Sequence, residues 1–264
     1  GSSENMTSLA LLQLASVRKY SQYGHVTIVT ADVDEMAKSA LRAGRSQIVE
    51  TQMIAPRVIA MAKPWWVSVF TKFHIFALTD YDTVTYLDLD AFLTSSQADG
   101  IFDRCAAHEL CAARAADLCV DDKSAYECEH GTPGGVVMMN AGVMVAHPNR
   151  DVLARLQTRL SHMDDQYQTP SKEMPPRTHT TEWTTNKVRF ETLPEQEVLG
   201  AHYLRSPAES RAFSFLSNEY GCVGTDEWLN GRSEANTARA IVHNCGMPKP
   251  INLPLCSWSE GHYS

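Results

Sequence analysis

Two aspartates one residue apart, Asp88 and Asp90, close the apolar run Val84-Thr85-Tyr86-Leu87. The run reads as a short buried strand. Side chains on a strand alternate between faces, so both carboxylates point the same way. With no basic neighbour in sequence they repel each other unless a cation sits between them. Oxygen ligands suit a hard divalent ion, Mn²⁺ or Mg²⁺, of the kind that also bridges substrate phosphates. A second triplet, Asp32-Val33-Asp34, serves as an internal control. It follows the strand pattern His25 to Val29 but opens a helical pattern at Asp34, where acidic side chains complement a helix N-terminus.

Other residues with chemistry to offer lie far away in sequence. His243 ends the apolar strand Ala240-Ile241-Val242, as Asp90 ends its own, and a neutral imidazole nitrogen is a metal ligand. Gly246 lets a backbone N–H approach an anion closely, and Lys249 three residues on is a point charge suited to phosphate. Lys72 falls among apolar residues, which fits either a snorkelling side chain or a cation aimed into a site. Asn140-Ala141-Gly142 interrupts the apolar run Val136 to Val145. A polar residue and a glycine inside a buried strand suggest a bulge or a closely approaching ligand.

The elements that must position these residues follow from periodicity. Residues 6–20 place apolar side chains at helical spacing, and His25 to Thr30 is a strand rich in β-branched residues. A helix over 34–43 and a strand around Ile48-Val49 come next. This alternation predicts a mixed, mostly parallel sheet flanked by helices, within one domain spanning 1–264. Trp65 to Leu78 reads as a mostly buried helix, residues 108–114 as a strand, and Asn149 as the cap of a helix carrying Val152, Leu153, Leu156 and Leu160. Residues 163–189 are polar and aperiodic, the pattern of a functional lid or a mobile loop, with Trp183 able to stack and Arg177 and His179 able to donate. Pro194-Glu195-Gln196-Glu197 starts a helix with proline first and acids in its opening turn. In open α/β sheets ligands bind at the carboxyl ends of strands, where Asp88 and Asp90 fall.

Composition narrows the function classes. The chain has 264 residues, of which 44% are apolar, enough for a sizeable core. A net charge of −8 argues against a nucleic-acid-binding surface. No run of 18 apolar residues offers a membrane span, and no signal peptide is visible. Seven cysteines include no C-x-x-C pair, which argues against structural zinc. Four of them fall within 105–128, as one or two disulfides in a surface insertion or as buried thiols. The redox compartment stays open between the cytoplasm, against which no leader speaks, and the secretory pathway.

Five segments, in order, resemble glycosyltransferase family 8, the glycogenin and galactinol synthase group. Tyr81 to Asp90 resembles its metal-binding strand, and Met139-Asn140-Ala141-Gly142-Val143 its Phe-Asn-Ser/Ala-Gly strand. Pro194 to Leu199 resembles its Asp/Glu-Gln-x-x-Leu-Asn helix, and Phe215 to Tyr220 its Leu-Pro-x-x-Tyr-Asn segment. His243 to Pro250 resembles its His-x-x-Gly-x-x-Lys-Pro-Trp terminus. The resemblance implies a GT-A fold and transfer of a sugar, glucose-like, from a UDP-sugar with retention of configuration. By position, it implies that Asp88, Asp90 and His243 bind Mn²⁺, with Mg²⁺ as the alternative, and that Gly246 and Lys249 hold the diphosphate. Lys72, Asn140, Ala141, Gly142, Glu195 and Gln196 would then face the donor sugar or its phosphate, Lys72 and Gln196 among the catalytic set. The chain departs from the pattern in three places: Thr192, with Glu191 beside it, stands where an acid often precedes the glutamine by four; Leu199-Gly200 replaces Leu-Asn; and Ile251 replaces the terminal tryptophan. The family's first strand is also not found ahead of Ser3. The partners expected are a UDP-sugar donor and an acceptor sugar, polyol or protein, with a homodimer left open. Two other readings compete: a non-catalytic sugar- or nucleotide-binding protein of the same fold, and a UDP-sugar hydrolase.

Overall fold

A computed structural model of the chain describes residues 3–55, 60–61, 64–114, 139–168, 183–184, 187–190, 194–203, 210–220, 222–223 and 240–244. Helix α1, Ser3–Tyr20, leads into strand β1, His25–Thr30. Helix α2, Glu35–Ala43, is followed by β2, Ser46–Thr51, which pairs parallel to β1. Asp34 caps α2 as its sequence predicts, its carboxylate accepting from the Ala37 N–H at 2.7 Å. Asp34 of the control triplet is therefore spent on a helix end.

The centre of the fold is a four-stranded sheet in the order β10-β6-β7-β4. It consists of β4 (Val84–Leu87), β6 (Leu110–Arg114), β7 (Met139–Ala146) and β10 (Phe213–Phe215). β7 runs antiparallel to both of its neighbours, and β10 runs parallel to β6. A second sheet joins β5 (Ala91–Leu93), β11 (Cys222–Val223) and β12 (Ile241–Asn244), with β12 antiparallel to β5. The short helix α3, Ile101–Arg104, follows β5. The mixed α/β arrangement expected from the sequence is present, with a larger antiparallel share than the helix–strand alternation alone suggests. β5 has no signal of its own in the sequence: only three residues long, it is specified by its pairing with β12 some 150 positions away.

Apolar side chains pack on both faces of this sheet. Leu110 and Ala112 point to one side, with Phe70, Phe73, Phe76, Leu156 and Leu199; Cys111 and Ala113 point to the other, with Ile101, Leu216 and Ile241. β7 changes parity along its length. Met139 and Ala141 face the first cluster, but so do Met144 and Ala146, while Val143 and Val145 face the second. The register explains the switch: Ala113 pairs with Asn140 but Ala112 pairs with Met144, so Ala141 to Val143 bulge from the ladder. The interruption expected at Asn140-Ala141-Gly142 is this bulge.

The buried helix expected over Trp65 to Leu78 is present as a 3-10 helix, Pro64–Ala77. Three residues per turn place i and i+3 on one face, so Phe70, Phe73 and Phe76 form one fully buried row, while Val69, Lys72, Ile75 and Leu78 form another that lines a cavity. Residues 163–189 are not one aperiodic loop. Helix α4, Arg150–Gln168, covers the start, and β8 (Trp183–Thr184) with β9 (Lys187–Phe190) makes a hairpin that joins β3 (Ala60–Met61). Arg177 and His179 lie outside the described residues. Asn149 caps α4 as expected, accepting from the Asp151 N–H at 2.9 Å. Cys105 and Cys111 form a disulfide that is part of the core, not of a surface insertion; Cys119 and Cys128 lie outside the described residues. No helix among the described residues is long and apolar enough to cross a membrane.

Candidate active site

The site gathers at the ends of β4 and β12 and on the bulge of β7. Asp88 and Asp90 follow β4 and flank a tight turn closed by the Ala91 N–H donating to the Asp88 carbonyl at 2.8 Å. His243 comes from β12, antiparallel to β5, where it pairs with Ala91. One ligand atom each from Asp88, Asp90 and His243 lies within 4.8 Å of the others. His243 Nε2 sits 3.4 Å from Asp90 Oδ1 and 3.7 Å from Asp88 Oδ2. Atoms sharing one octahedral ion are about 3 Å apart when adjacent and about 4.2 Å when opposite, given ligand distances near 2.1 Å. The donor set, two carboxylates and an imidazole, fits a divalent cation of the Mn²⁺ or Mg²⁺ type.

The ring of His243 is seated by the bulge. A Cβ built on Gly142 would overlap the His243 imidazole, so only glycine admits the ring there. The close approach expected at Gly142 is thus filled by a side chain of the protein itself. Gly142 also accepts from the Asp88 N–H through its carbonyl at 2.8 Å. Its own N–H donates to Asn140 Oδ1 at 2.8 Å, fixing the bulge. We expect Gly142→Ala to destabilise the protein by roughly 1–3 kcal/mol through overpacking and to displace the imidazole. Denaturant titration checks this, and unchanged stability would show that His243 does not rest on Gly142.

Lys72 lies beside the carboxylates. Its ammonium donates to Glu195 Oε1 at 2.9 Å and to the Ala141 carbonyl at 3.3 Å, and it sits 3.2 Å from Asp88 Oδ1. Those three oxygens match the three donors of an ammonium. Lys72 therefore does not snorkel: its side chain is 4% exposed. Burial acts to lower its pKa, but the Asp88 and Glu195 carboxylates outweigh it and hold the ammonium well above the ordinary lysine range. Burial raises the Glu195 carboxyl, with Lys72 opposing the rise and the Asp88 charge adding to it. Tyr86 completes the group. Its hydroxyl donates to Asp88 Oδ1 at 2.8 Å, and its ring lies under Lys72 at 5.3 Å. Burial, and then Asp88, push the phenol well above its ordinary range, so it remains a donor.

Helix α5, Pro194–Tyr203, supplies Glu195 and Gln196 in its first turn, while Val198 and Leu199 anchor it in the core. Glu195 is fully buried, and its Oε2 has no hydrogen-bond partner among the described residues. Such an orphan carboxylate oxygen is costly unless a ligand completes it. Gln196, also buried, follows directly. Glu195, Lys72, Tyr86, Asp88 and Asp90 all line one cavity of about 1250 Å³, which extends along β1. Asn140, 7% exposed, is turned to its own bulge. Gly246 and Lys249 lie outside the described residues.

Sequence reasoning missed Gln13 of α1. Its side-chain amide donates to the carbonyls of Asp88 and, at 3.0 Å, of Ala91, clamping both ends of the aspartate turn. The one available signal is a glutamine at a position where the helical apolar pattern asks for a core residue. Ser16, one turn on, accepts from the Leu93 N–H at 3.2 Å.

Solved structures resemble this fold. The galactosyltransferase LgtC, in complex with donor and acceptor sugar analogs, matches with a TM-score of 0.57 at 14% identity, over 98% of this chain and 90% of that one. Mouse xyloside xylosyltransferase 1, in its apo form, matches with a TM-score of 0.53 at 14% identity, over 95% of this chain and 94% of that one. The fold is that of the GT-A glycosyltransferases. No curated protein sequence matches the chain. The model of glycosyl transferase family 8 matches residues 2–250, so the chain belongs to that family and is a glycosyltransferase.

Proposed function

We propose that the protein transfers a glucose-like sugar from a UDP-sugar to an acceptor sugar, polyol or protein, with retention of configuration and with Mn²⁺ as its metal. The observation that carries the reading is the convergence of Asp88, Asp90 and His243 beside the Lys72–Glu195 pair, with Asp88, Asp90, Lys72 and Glu195 lining one cavity. In the reaction the bond between the sugar C1 and the β-phosphate oxygen breaks, its electron pair leaving with UDP. An acceptor hydroxyl oxygen then bonds to C1, and its proton passes to the departing phosphate. A divalent ion held by Asp88, Asp90 and His243 supplies charge stabilisation for the diphosphate.

The remaining residues bind and orient. Lys72 holds Glu195 by Oε1, so Oε2 is the atom offered to a hydroxyl of the donor sugar. Gln196, on the same turn, adds an amide, and the Asn140-Ala141-Gly142 bulge seats the His243 ring and the Lys72 ammonium beside the transferring sugar. Gly246 and Lys249 follow β12 by a few residues and take the diphosphate. The cavity volume exceeds the roughly 300–1,000 Å³ typical of small-molecule sites, leaving room for donor and acceptor together.

Calorimetry with UDP, with and without Mn²⁺, followed by product analysis against a panel of UDP-sugars and acceptors, tests the reading. UDP binding that ignores Mn²⁺ would overturn the metal, and no transfer from any UDP-sugar would overturn the donor. Lys249→Ala should weaken UDP by the equivalent of about 1.5–3 kcal/mol and uridine far less, because only the former carries the phosphates of a charge-assisted contact. Equal losses for both would remove Lys249 from the diphosphate site.

A further inference from the structure

We infer that Tyr86 is a positioning residue for the metal site: its hydroxyl, together with Lys72, occupies Asp88 Oδ1 and so presents Asp88 Oδ2 to the side where Asp90 and His243 converge. The inference rests on the metal reading above. Two donors reach the same carboxylate oxygen, the Tyr86 hydroxyl at 2.8 Å and the Lys72 ammonium at 3.2 Å. The other oxygen is the one turned toward His243 Nε2, at 3.7 Å. A carboxylate can otherwise rotate about its terminal bond and offer either oxygen, or both. Two fixed donors on one oxygen break that symmetry.

The strand makes the arrangement available. Tyr86 and Asp88 are two residues apart, so both side chains leave the same face, and the phenol reaches forward to the carboxylate. Lys72 lies over the same ring, so Tyr86 contacts both groups that bear on Asp88. Partners that orient a ligand in this way typically change metal affinity by about 10–100-fold when removed.

Tyr86→Phe keeps the ring under Lys72 and deletes only the hydroxyl. With the purified full chain, Mn²⁺ affinity should fall about ten-fold, read by electron paramagnetic resonance of free and bound Mn²⁺. The bound spectrum should also change, because Asp88 no longer offers a single fixed oxygen. Thermal unfolding of the metal-free variant controls for a merely structural role, which would lower the midpoint and leave Mn²⁺ affinity and spectrum unaltered. That pattern, or wild-type affinity with a wild-type spectrum, would overturn the role of Tyr86. Failure of the wild-type chain to bind Mn²⁺ would instead overturn the metal reading and the inference with it. Lys72→Arg should retain the spectrum of the wild type, since a cation still meets Oδ1, and a spectrum like that of Tyr86→Phe would contradict the shared-oxygen arrangement.

Discussion

Asp90→Asn should abolish Mn²⁺-dependent UDP binding while leaving the fold in place. Asparagine keeps the shape of aspartate but replaces a charged ligand with a neutral amide. The cluster then holds one carboxylate and one imidazole, too little charge to strip water from a hard divalent ion. The Asp90 side chain is 13% exposed, and the turn it occupies is held through backbone groups, by Gln13 and by the Asp88–Ala91 hydrogen bond. The thermal midpoint of the metal-free protein should therefore stay close to wild type. Calorimetric titration with Mn²⁺ and then UDP checks both parts. Mn²⁺ affinity within about two-fold of wild type would remove Asp90 from the metal site.

Lys72→Met should cost about 3–5 kcal/mol of stability, the largest effect expected of any single change at this site. Methionine fills much of the same volume, but Glu195, wholly buried, loses the cation it is paired with, and Asp88 loses one of its two donors. The sign of the pH dependence follows from the directions of the pKa shifts. In the wild type, Lys72 is raised, so the stability it contributes is present below the unfolded lysine value near 10.4 and is lost only as pH climbs through its higher folded value. In the variant, Glu195 keeps the upward push of burial and loses the opposing ammonium. A carboxyl raised in the folded state favours folding below its unfolded value near 4.3 and ceases to do so as pH rises through its folded value. The gap between variant and wild type should therefore be small in acid and widen toward neutral pH. Urea unfolding across that range measures it, and a gap independent of pH would mean that Glu195 is not what Lys72 neutralises.

Much of this site is legible in the amino-acid sequence alone. The same-face placement of Asp88 and Asp90 needs only the two-residue period of a strand, and the capping role of Asp34 needs only the contact three residues ahead. These are local rules, and local spacing fixes them. The bulge at Asn140 to Gly142 announces itself because a polar residue and a glycine break a buried apolar run. The family-like order of segments points to His243 as the partner of the aspartates, and the structure brings them within reach of one ion.

What the sequence leaves open has a common physical cause. Lys72 and Glu195 each stand out, but their ion pair spans 123 positions, and nothing local says which carboxylate meets a buried ammonium. Gln13 clamps carbonyls 75 and 78 residues away, and a backbone carbonyl carries no side-chain signature to match it to a glutamine. The helix at Pro64–Ala77 is legible as a helix, but its 3-10 type is not, because a rich apolar run satisfies both periods; the structure places Phe70, Phe73 and Phe76 in one buried row. Composition, strand faces, caps and the candidate ligand residues are therefore set by the chain itself. Which oxygen of Asp88 faces His243, and which oxygen of Glu195 is left without a partner, are decided only when the chain packs, because a carboxylate has two equivalent oxygens until its neighbours distinguish them.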